Sequence, residues 1–225
     1  MPTTYAHYKF GKEVLSALPR PLQNSIEAHR ELFDIGLHGP DILFYYNALK
    51  KDPVNEQGHT LHEQFADEFF HHAVEVIEKA KDPAAARAYI YGFICHFALD
   101  SECHPYVEKI MQVGRVSHNE IEMELDRMML TEDYHDPLRY LTAKHIQPKM
   151  EYAEVIAPFF KDVTAEQIYK ALKGMVFYHK LFLAPTSGKR KALFLGMKAV
   201  GKYDSLHDIV MSVKPDPLCQ KYCKV

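Results

Sequence analysis

Histidine and carboxylate residues recur at helical spacing in the middle of this 225-residue chain. His96, Asp100 and His104 follow one another at intervals of four residues, and His118 and Glu122 repeat that interval. Side chains at i and i+4 lie on one face of an α-helix, about 5–6 Å apart at Cβ. Imidazole nitrogen and carboxylate oxygen are common ligands of zinc. The spacing therefore predicts that each run presents a set of metal ligands.

The residues around the first run strengthen this interpretation. A single His–Asp pair at this spacing more often makes a hydrogen bond than a metal site. Here Asp100 stands in an apolar stretch with Ile90, Phe93 and Phe97, where a carboxylate is costly unless it is paired or metal-bound. Cys103 could also face a metal, although a small buried residue is the simpler interpretation.

Three further candidates lie in the first third of the chain. His7 comes just before the first predicted helix, and Asp41 follows Gly39-Pro40 at a predicted helix start. His62 is predicted in the first turn of a long helix, and His59 remains an alternative to it. Spacing does not connect these residues with the central runs.

The elements that must position these side chains are predicted to be helices. Apolar periodicity and turn residues predict helices over residues 9–18, 22–34, 41–49, 60–80, 83–103, 117–130, 138–145, 150–157, 165–181 and 189–200, with a loop over 52–58. Ser117 and Glu120 form a capping box at one start, and Pro105 is expected to end the central helix. No strand-type alternation was found, so residues 1–225 are predicted to form one all-α domain, a multi-helix bundle.

Composition narrows the class of protein. Hydrophobic residues make up 47% and charged residues 25%, which is typical of a globular protein. The formal charge of −3 does not suggest a nucleic-acid surface, so no nucleic-acid partner is expected. The most apolar segment, residues 88–99, is shorter than the roughly 20 residues of a membrane span. With no signal peptide recognised, a cytoplasmic location is predicted.

The four cysteines are too few for a disulfide scaffold. Cys219 and Cys223 stand four residues apart in the C-terminal tail. A partial metal site and a disulfide both remain open for this pair, and an ordinary tail is the simpler interpretation.

Taken together, the motifs resemble those of the bacterial zinc-dependent phospholipase C family, which is similar to the fungal zinc-dependent single-strand nucleases. The resemblance covers about residues 3–130. It depends on the order and spacing of five segments: Thr3-Thr-Tyr-Ala-His7, Gly36-Leu-His-Gly-Pro-Asp41, Leu61-His-Glu-Gln64, His96-x3-Asp100-x3-His104 and His118-x3-Glu122.

The resemblance implies an all-α fold that holds three zinc ions in one cleft, and two to three ions are expected here. The implied ligand sets are His62, His96 and Asp100 for one zinc; His104, His118 and Glu122 for a second; and His7 for a third, with Asp100 bridging. Asp41 matches the acidic residue that acts as general base or orients the attacking water.

Two features depart from the family pattern. The secreted members use an N-terminal Trp at the third site, whereas this chain has no Trp, and His7 lies nearer the start. The gap between Asp100 and His104 is three residues, where the secreted enzymes have five. These departures concern the third zinc site and the position of His104.

The predicted function is hydrolysis of phosphate esters, with phospholipase C-like cleavage of a phospholipid head group by a zinc-activated water. A phospholipid or a small phosphate ester is the expected substrate, with transient contact to a membrane surface. Two alternatives remain: an all-α scaffold with structural zinc, and a nuclease-like phosphodiesterase. Three protein ligands per site favour an open, catalytic position over a closed structural one. The head group and the oligomeric state remain open.

The aromatic runs at residues 44–46 and 69–70 have two interpretations. They could line an apolar substrate wall, although core packing is the simpler explanation.

Overall fold

The computed structural model describes residues 4–114 and 116–223, and in this part of the chain it contains helices and no strand. The all-α prediction is confirmed. The α-helices are α1 (Thr4–Ala17), α2 (Arg20–Glu27), α3 (Arg30–Gly36), α4 (Pro53–Glu63), α5 (Ala66–Lys79), α6 (Pro83–Gly114), α7 (His118–Glu132), α8 (Met150–Ile156), α9 (Ala165–Phe182), α10 (Ser187–Ala199), α11 (Tyr203–Leu206) and α12 (Pro217–Cys223), with 3-10 helices at Gly39–Tyr45, Ala157–Phe159 and His207–Ile209.

The chain forms two compact units that are interleaved along the sequence. The larger unit comprises residues 7–98 and 143–178. The smaller unit comprises residues 99–142 and 179–223, together with the described residues at the start of the chain. Helix α6 contributes its first half to the larger unit and its second half to the smaller one. The assignment of residues 1–225 to one domain stays a prediction.

The core of the larger unit places α3 directly against the first half of α6. A Cβ atom on Gly36 would lie 2.1 Å from the carbonyl oxygen of Tyr89, and one on Gly92 would lie 2.2 Å from that of Phe33. Only glycine permits so close an approach of two helix backbones. The crossing fixes the segment of α6 that carries His96, one turn beyond Gly92.

The smaller unit packs α7 against the second half of α6 and against α12. Val107, Ile110, Ile121 and Cys219 form a buried apolar cluster there. Within the same unit, the backbone N–H groups of residues 5 and 6 at the start of α1 donate to the buried carboxylate of Asp126, at 3.1 and 2.9 Å. A carboxylate is favourable at a helix N-terminus because the first N–H groups have no partner within the helix.

Two helix predictions around His62 are wrong. The expected loop over residues 52–58 is helical, because Asp52 caps α4 by accepting from the Val54 N–H at 3.0 Å. The expected helix over residues 60–80 is divided at Gln64 and Phe65, whose backbones are extended. His62 therefore lies in the last turn of α4 and not in the first turn of a long helix.

The central helix is longer than predicted. Helix α6 passes through Pro105 and ends at Gly114. Pro105 lies on an exposed face of α6, where its ring projects away from the packed side of the helix. His104 therefore stays in helical register with Asp100, and the expected end near residue 103 is wrong.

Other boundaries also differ. Helix α1 begins at Thr4, so His7 lies inside it and not before it. Residues 22–34 form the separate helices α2 and α3, and residues 39–45 form a 3-10 helix in place of the expected helix over 41–49. Residues 138–145 form turns, and the C-terminal tail ends in α12. Cys219 and Cys223 are both reduced, so they form no disulfide.

Candidate metal centre

The larger unit gathers Asp41, His62 and His96 into one cluster, here called the Asp41 cluster. One ligand atom from each residue lies within 4.8 Å of the other two. Asp41 comes from the 3-10 helix, His62 from the last turn of α4, and His96 from α6. Asp41 and His96 are almost fully buried. Three donors from three elements thus converge in the interior, an arrangement that a divalent cation would stabilise.

The hydrogen bonds of His62 show that it is set up as a ligand. Its Nδ1 lies 2.7 Å from the carbonyl oxygen of Gly58, which can only accept, so Nδ1 carries a proton and donates. In the neutral ring Nε2 is then the unprotonated nitrogen, and it lies 3.0 Å from Asp41 Oδ1. A metal-binding histidine commonly donates its other ring N–H to a backbone carbonyl in this way. The donor set fits zinc.

Gly39 makes room for the His96 ring. The residue has φ of +46°, and a Cβ atom there would lie 2.2 Å from His96 Cδ2. A side chain at this position would be strained by the backbone and would also displace the imidazole. The Gly39-Pro40-Asp41 segment therefore has two effects: it brings the Asp41 carboxylate to the cluster, and it leaves space for the His96 ring.

His7 lies against the Asp41 cluster. Its ring is 1% exposed and stacks on the His96 ring, with centroids 4.4 Å apart. Asp100 is also buried, and stands one helical turn beyond His96 on α6. The expected role of Asp100 as a carboxylate that bridges two zinc ions stays a prediction, as does a third zinc at His7.

The smaller unit brings together His104, His118 and Glu122, here called the Glu122 cluster. Their ligand atoms lie within 4.8 Å of one another. His118 Nε2 is 2.5 Å from Glu122 Oε1, and the His104 and His118 rings have centroids 5.4 Å apart. Glu122 is 3% exposed, so its carboxylate has been removed from water. A buried carboxylate with two imidazoles is again a donor set that fits zinc.

Burial keeps His104 in the form that binds metals. Desolvation lowers the pKa of His104 below its ordinary value, against the opposing effect of the Asp100 carboxylate. His104 Nε2 lies 3.9 Å from Asp100 Oδ2. The neutral imidazole is the ligand form, so the shift favours coordination near neutral pH. The short interval between Asp100 and His104 does not keep His104 away from His118 and Glu122.

The structure places His62, and not its alternative His59, beside Asp41. The His59 ring lies tilted against the Phe44 ring with centroids 4.4 Å apart, whereas His62 Nε2 lies 3.0 Å from Asp41 Oδ1. The Phe44 ring also lies 5.5 Å from His62, so it borders the Asp41 cluster. Phe69 belongs to the core, whereas Phe44 adjoins a candidate ligand.

Two further histidines were missed by sequence reasoning. His38 Nε2 lies 2.7 Å from His145 Nε2, and the His145 ring stacks on Tyr8 at 4.0 Å. The His38 ring is 6.4 Å from the His7 ring, centroid to centroid. His38 and His145 are 107 residues apart; Asp34 and Asp41 stand at helical spacing from His38, whereas no carboxylate stands at that spacing from His145.

The secondary structure of the described residues is helical, and two sets of three imidazole and carboxylate donors converge among them. This combination is typical of helical proteins that bind metal ions. A sequence model of the family described as "Zinc dependent phospholipase C" matches residues 6–174, most of the chain, and the chain belongs to that family. No curated protein and no solved structure matches it. Among the described residues, no helix is both long and apolar enough to cross a membrane.

Proposed function

We propose that this protein is a zinc-dependent hydrolase of phosphate esters, with phospholipase C-like release of a phospholipid head group as its reaction. The observation that carries the proposal is the convergence of two three-residue donor sets in a chain of this family. Zinc bound at such sites neutralises phosphoryl oxygens and lowers the pKa of water. His62 and His96 with Asp41 would hold one ion, and the Glu122 cluster a second.

Asp41 is the residue to which we assign proton transfer. It is 5% exposed, and its Oδ1 lies 3.0 Å from His62 Nε2, so the carboxylate is enclosed beside the candidate ligands. A carboxylate beside the attacking water can accept its proton, a contribution of about 10²–10⁴ in rate. The same carboxylate lies within ligand distance of His62 and His96, so orientation and coordination are both open to it.

The remaining residues would bind and shield the substrate. Phe44 places an apolar ring beside His62, where it excludes water from one side of the cluster. Each cluster has three protein donors, one fewer than the four of a closed structural zinc site. Three protein donors in place of four support a hydrolase with an open zinc position over a scaffold in which zinc is structural.

The proposal is tested by metal analysis together with two chromogenic substrates, a phosphocholine ester and a nucleotide diester. We expect two to three zinc ions per chain and faster turnover of the phosphocholine ester. Asp100→Ala should lower the zinc content. Asp41→Asn should reduce kcat at least a hundredfold, whereas Asp204→Asn, at an exposed carboxylate on α11, should leave it unchanged.

Two results would contradict the proposal. Protein that carries zinc but turns over neither substrate would favour structural metal. Preferential cleavage of the nucleotide diester would place the chain with the nuclease-like phosphodiesterases.

A further inference from the structure

The larger unit exposes a set of apolar side chains where α5 begins and the middle of α6 passes it. Phe65 is 92% exposed, Ile94 is 43% exposed and Phe97 is 41% exposed, while Phe70 is half-buried. These four residues are called the apolar rim. Exposed apolar groups that cluster and are bordered by polar residues commonly mark an interaction surface.

Packing between α5 and α6 brings the rim together. Phe69, one turn beyond Phe65, stacks on Phe93 with centroids 4.2 Å apart, and Phe70 meets Phe97 edge to face at 5.9 Å. Three residues connect the two helices, so they run in opposite directions. The turn before Phe69 and the turn after Phe93 are therefore neighbours, and Phe65 and Phe97 project from the same end of the helix pair.

The apolar rim borders the Asp41 cluster. Phe65 follows the candidate ligand His62 by three residues, in the extended turn between α4 and α5. Phe97 directly follows His96, whose ring lies 5.7 Å from that of His62. A surface that contacts the rim is thus brought beside the candidate metal ligands.

The charged residues around the rim indicate which kind of lipid surface it can bind. Glu63, Asp67 and Glu68 are exposed on either side of Phe65. The sequence contains no Lys or Arg between Lys51 and Lys79. Anionic lipid surfaces attract clusters of Lys and Arg, and would be repelled here. A zwitterionic surface offers cationic groups to the carboxylates and hydrocarbon to the phenyl rings.

We propose that the apolar rim docks onto a surface of zwitterionic phospholipid, with Phe65 inserted among the acyl chains. Docking presents a phosphodiester to the Asp41 cluster. The inference rests on the proposed function, and it names the physical form of the substrate. Aromatic side chains are well suited to the boundary between water and hydrocarbon.

Flotation of the zinc-loaded full chain tests docking separately from catalysis when the vesicles are made of a phosphatidylcholine analogue whose scissile P–O bond is replaced by a non-hydrolysable P–C bond. We expect wild-type protein to float with the vesicles and Phe65→Ser to weaken partitioning roughly tenfold or more. Val74→Ser is the matched control: Val74 is 55% exposed on the same helix, about 13 Å further along. Replacing a third of the lipid by phosphatidylserine should weaken wild-type binding.

A second measurement uses the zinc-loaded protein. Phe65→Ser should slow hydrolysis of vesicles while it leaves turnover of a short-chain, monomeric phosphocholine ester unchanged. The inference is overturned if wild-type protein does not bind vesicles, if both variants bind equally well, or if anionic lipid strengthens binding. Docking without hydrolysis of either substrate would contradict the proposed function and leave the surface assignment standing.

Discussion

At the scale of single residues, the candidate ligands owe their chemistry to their immediate partners. His62 is committed to one tautomer by the Gly58 carbonyl, and burial lowers the pKa of His104. Burial favours the neutral form of His104, whereas the Gly58 carbonyl orients the His62 ring with its Nε2 towards Asp41. Neither effect can be deduced from residue type, because each depends on what surrounds the ring.

Gly39 gives a prediction at this scale. Gly39→Ala should reduce zinc content and hydrolysis, since the new Cβ would lie 2.2 Å from the His96 ring at a backbone conformation that disfavours side chains. We expect the free energy of unfolding to fall by about 1–3 kcal/mol. Metal analysis and thermal unfolding of the same preparation check this.

Gly196 in α10 provides the control. A Cβ atom there has nothing within 4 Å, so Gly196→Ala should raise stability by about 0.5–1 kcal/mol with zinc content unchanged. If Gly39→Ala retained full zinc and activity, His96 would not need the space that glycine leaves.

At the scale of elements, the helix starts hold the ligands in place. The capping box of α7 satisfies the first N–H groups of the helix that begins with His118: Ser117 Oγ accepts from the Glu120 N–H at 3.1 Å, and Glu120 accepts from the Ser117 N–H at 2.8 Å. Ser117 also donates to Asp208 at 2.8 Å, which connects the start of α7 with the 3-10 helix at residues 207–209. The first turn is therefore held by three hydrogen bonds.

Ser117→Ala should cost about 1 kcal/mol of stability and weaken zinc binding at the Glu122 cluster, because the turn that carries His118 would fray. Thr186→Ala removes the corresponding cap of α10, where Thr186 accepts from the Lys189 N–H at 3.3 Å. The control should lose similar stability with unchanged zinc affinity. Zinc titration and denaturant unfolding distinguish the two, and equal losses of zinc affinity would argue against local positioning.

At the scale of the whole molecule, the smaller unit joins segments that are far apart in sequence. His179 contacts Thr4 Oγ1 through Nε2 at 3.2 Å and Thr142 Oγ1 through Nδ1 at 3.0 Å. Burial lowers the pKa of His179 to about 4 from an ordinary value of 6.5. The neutral ring thus connects the first turn of α1, residue 142 and α9.

This predicts a pH dependence of stability. Between pH 6.5 and 4 the unfolded chain binds a proton that His179 in the folded chain does not, so the free energy of unfolding falls as the pH is lowered. The contribution reaches about 3 kcal/mol at pH 4 and is absent above pH 6.5. Denaturant unfolding at a fixed zinc concentration from pH 7.5 to 4 should show that the free energy of unfolding falls less steeply for His179→Gln than for the wild-type protein. The same pH dependence of the free energy of unfolding in the wild-type protein and in His179→Gln would contradict this prediction.

Residue spacing and apolar periodicity predict the fold class and the local ligand runs correctly. The i, i+4 intervals of His96, Asp100 and His104 lie within one helix, as do those of His118 and Glu122, so helical geometry alone predicts which of them share a face. The capping box at Ser117 was likewise predicted correctly, because its partners are three residues apart.

Which candidate ligands meet depends on tertiary packing. Asp41, His62 and His96 come from three elements, and no local pattern connects them; close packing at glycine and a helix break at Phe65 bring them into ligand distance. Local propensities favoured a continuous helix over residues 60–80 and an end before Pro105, and packing overrode both. Periodicity shows which face a residue occupies, whereas the partner of that face depends on the burial of the whole chain.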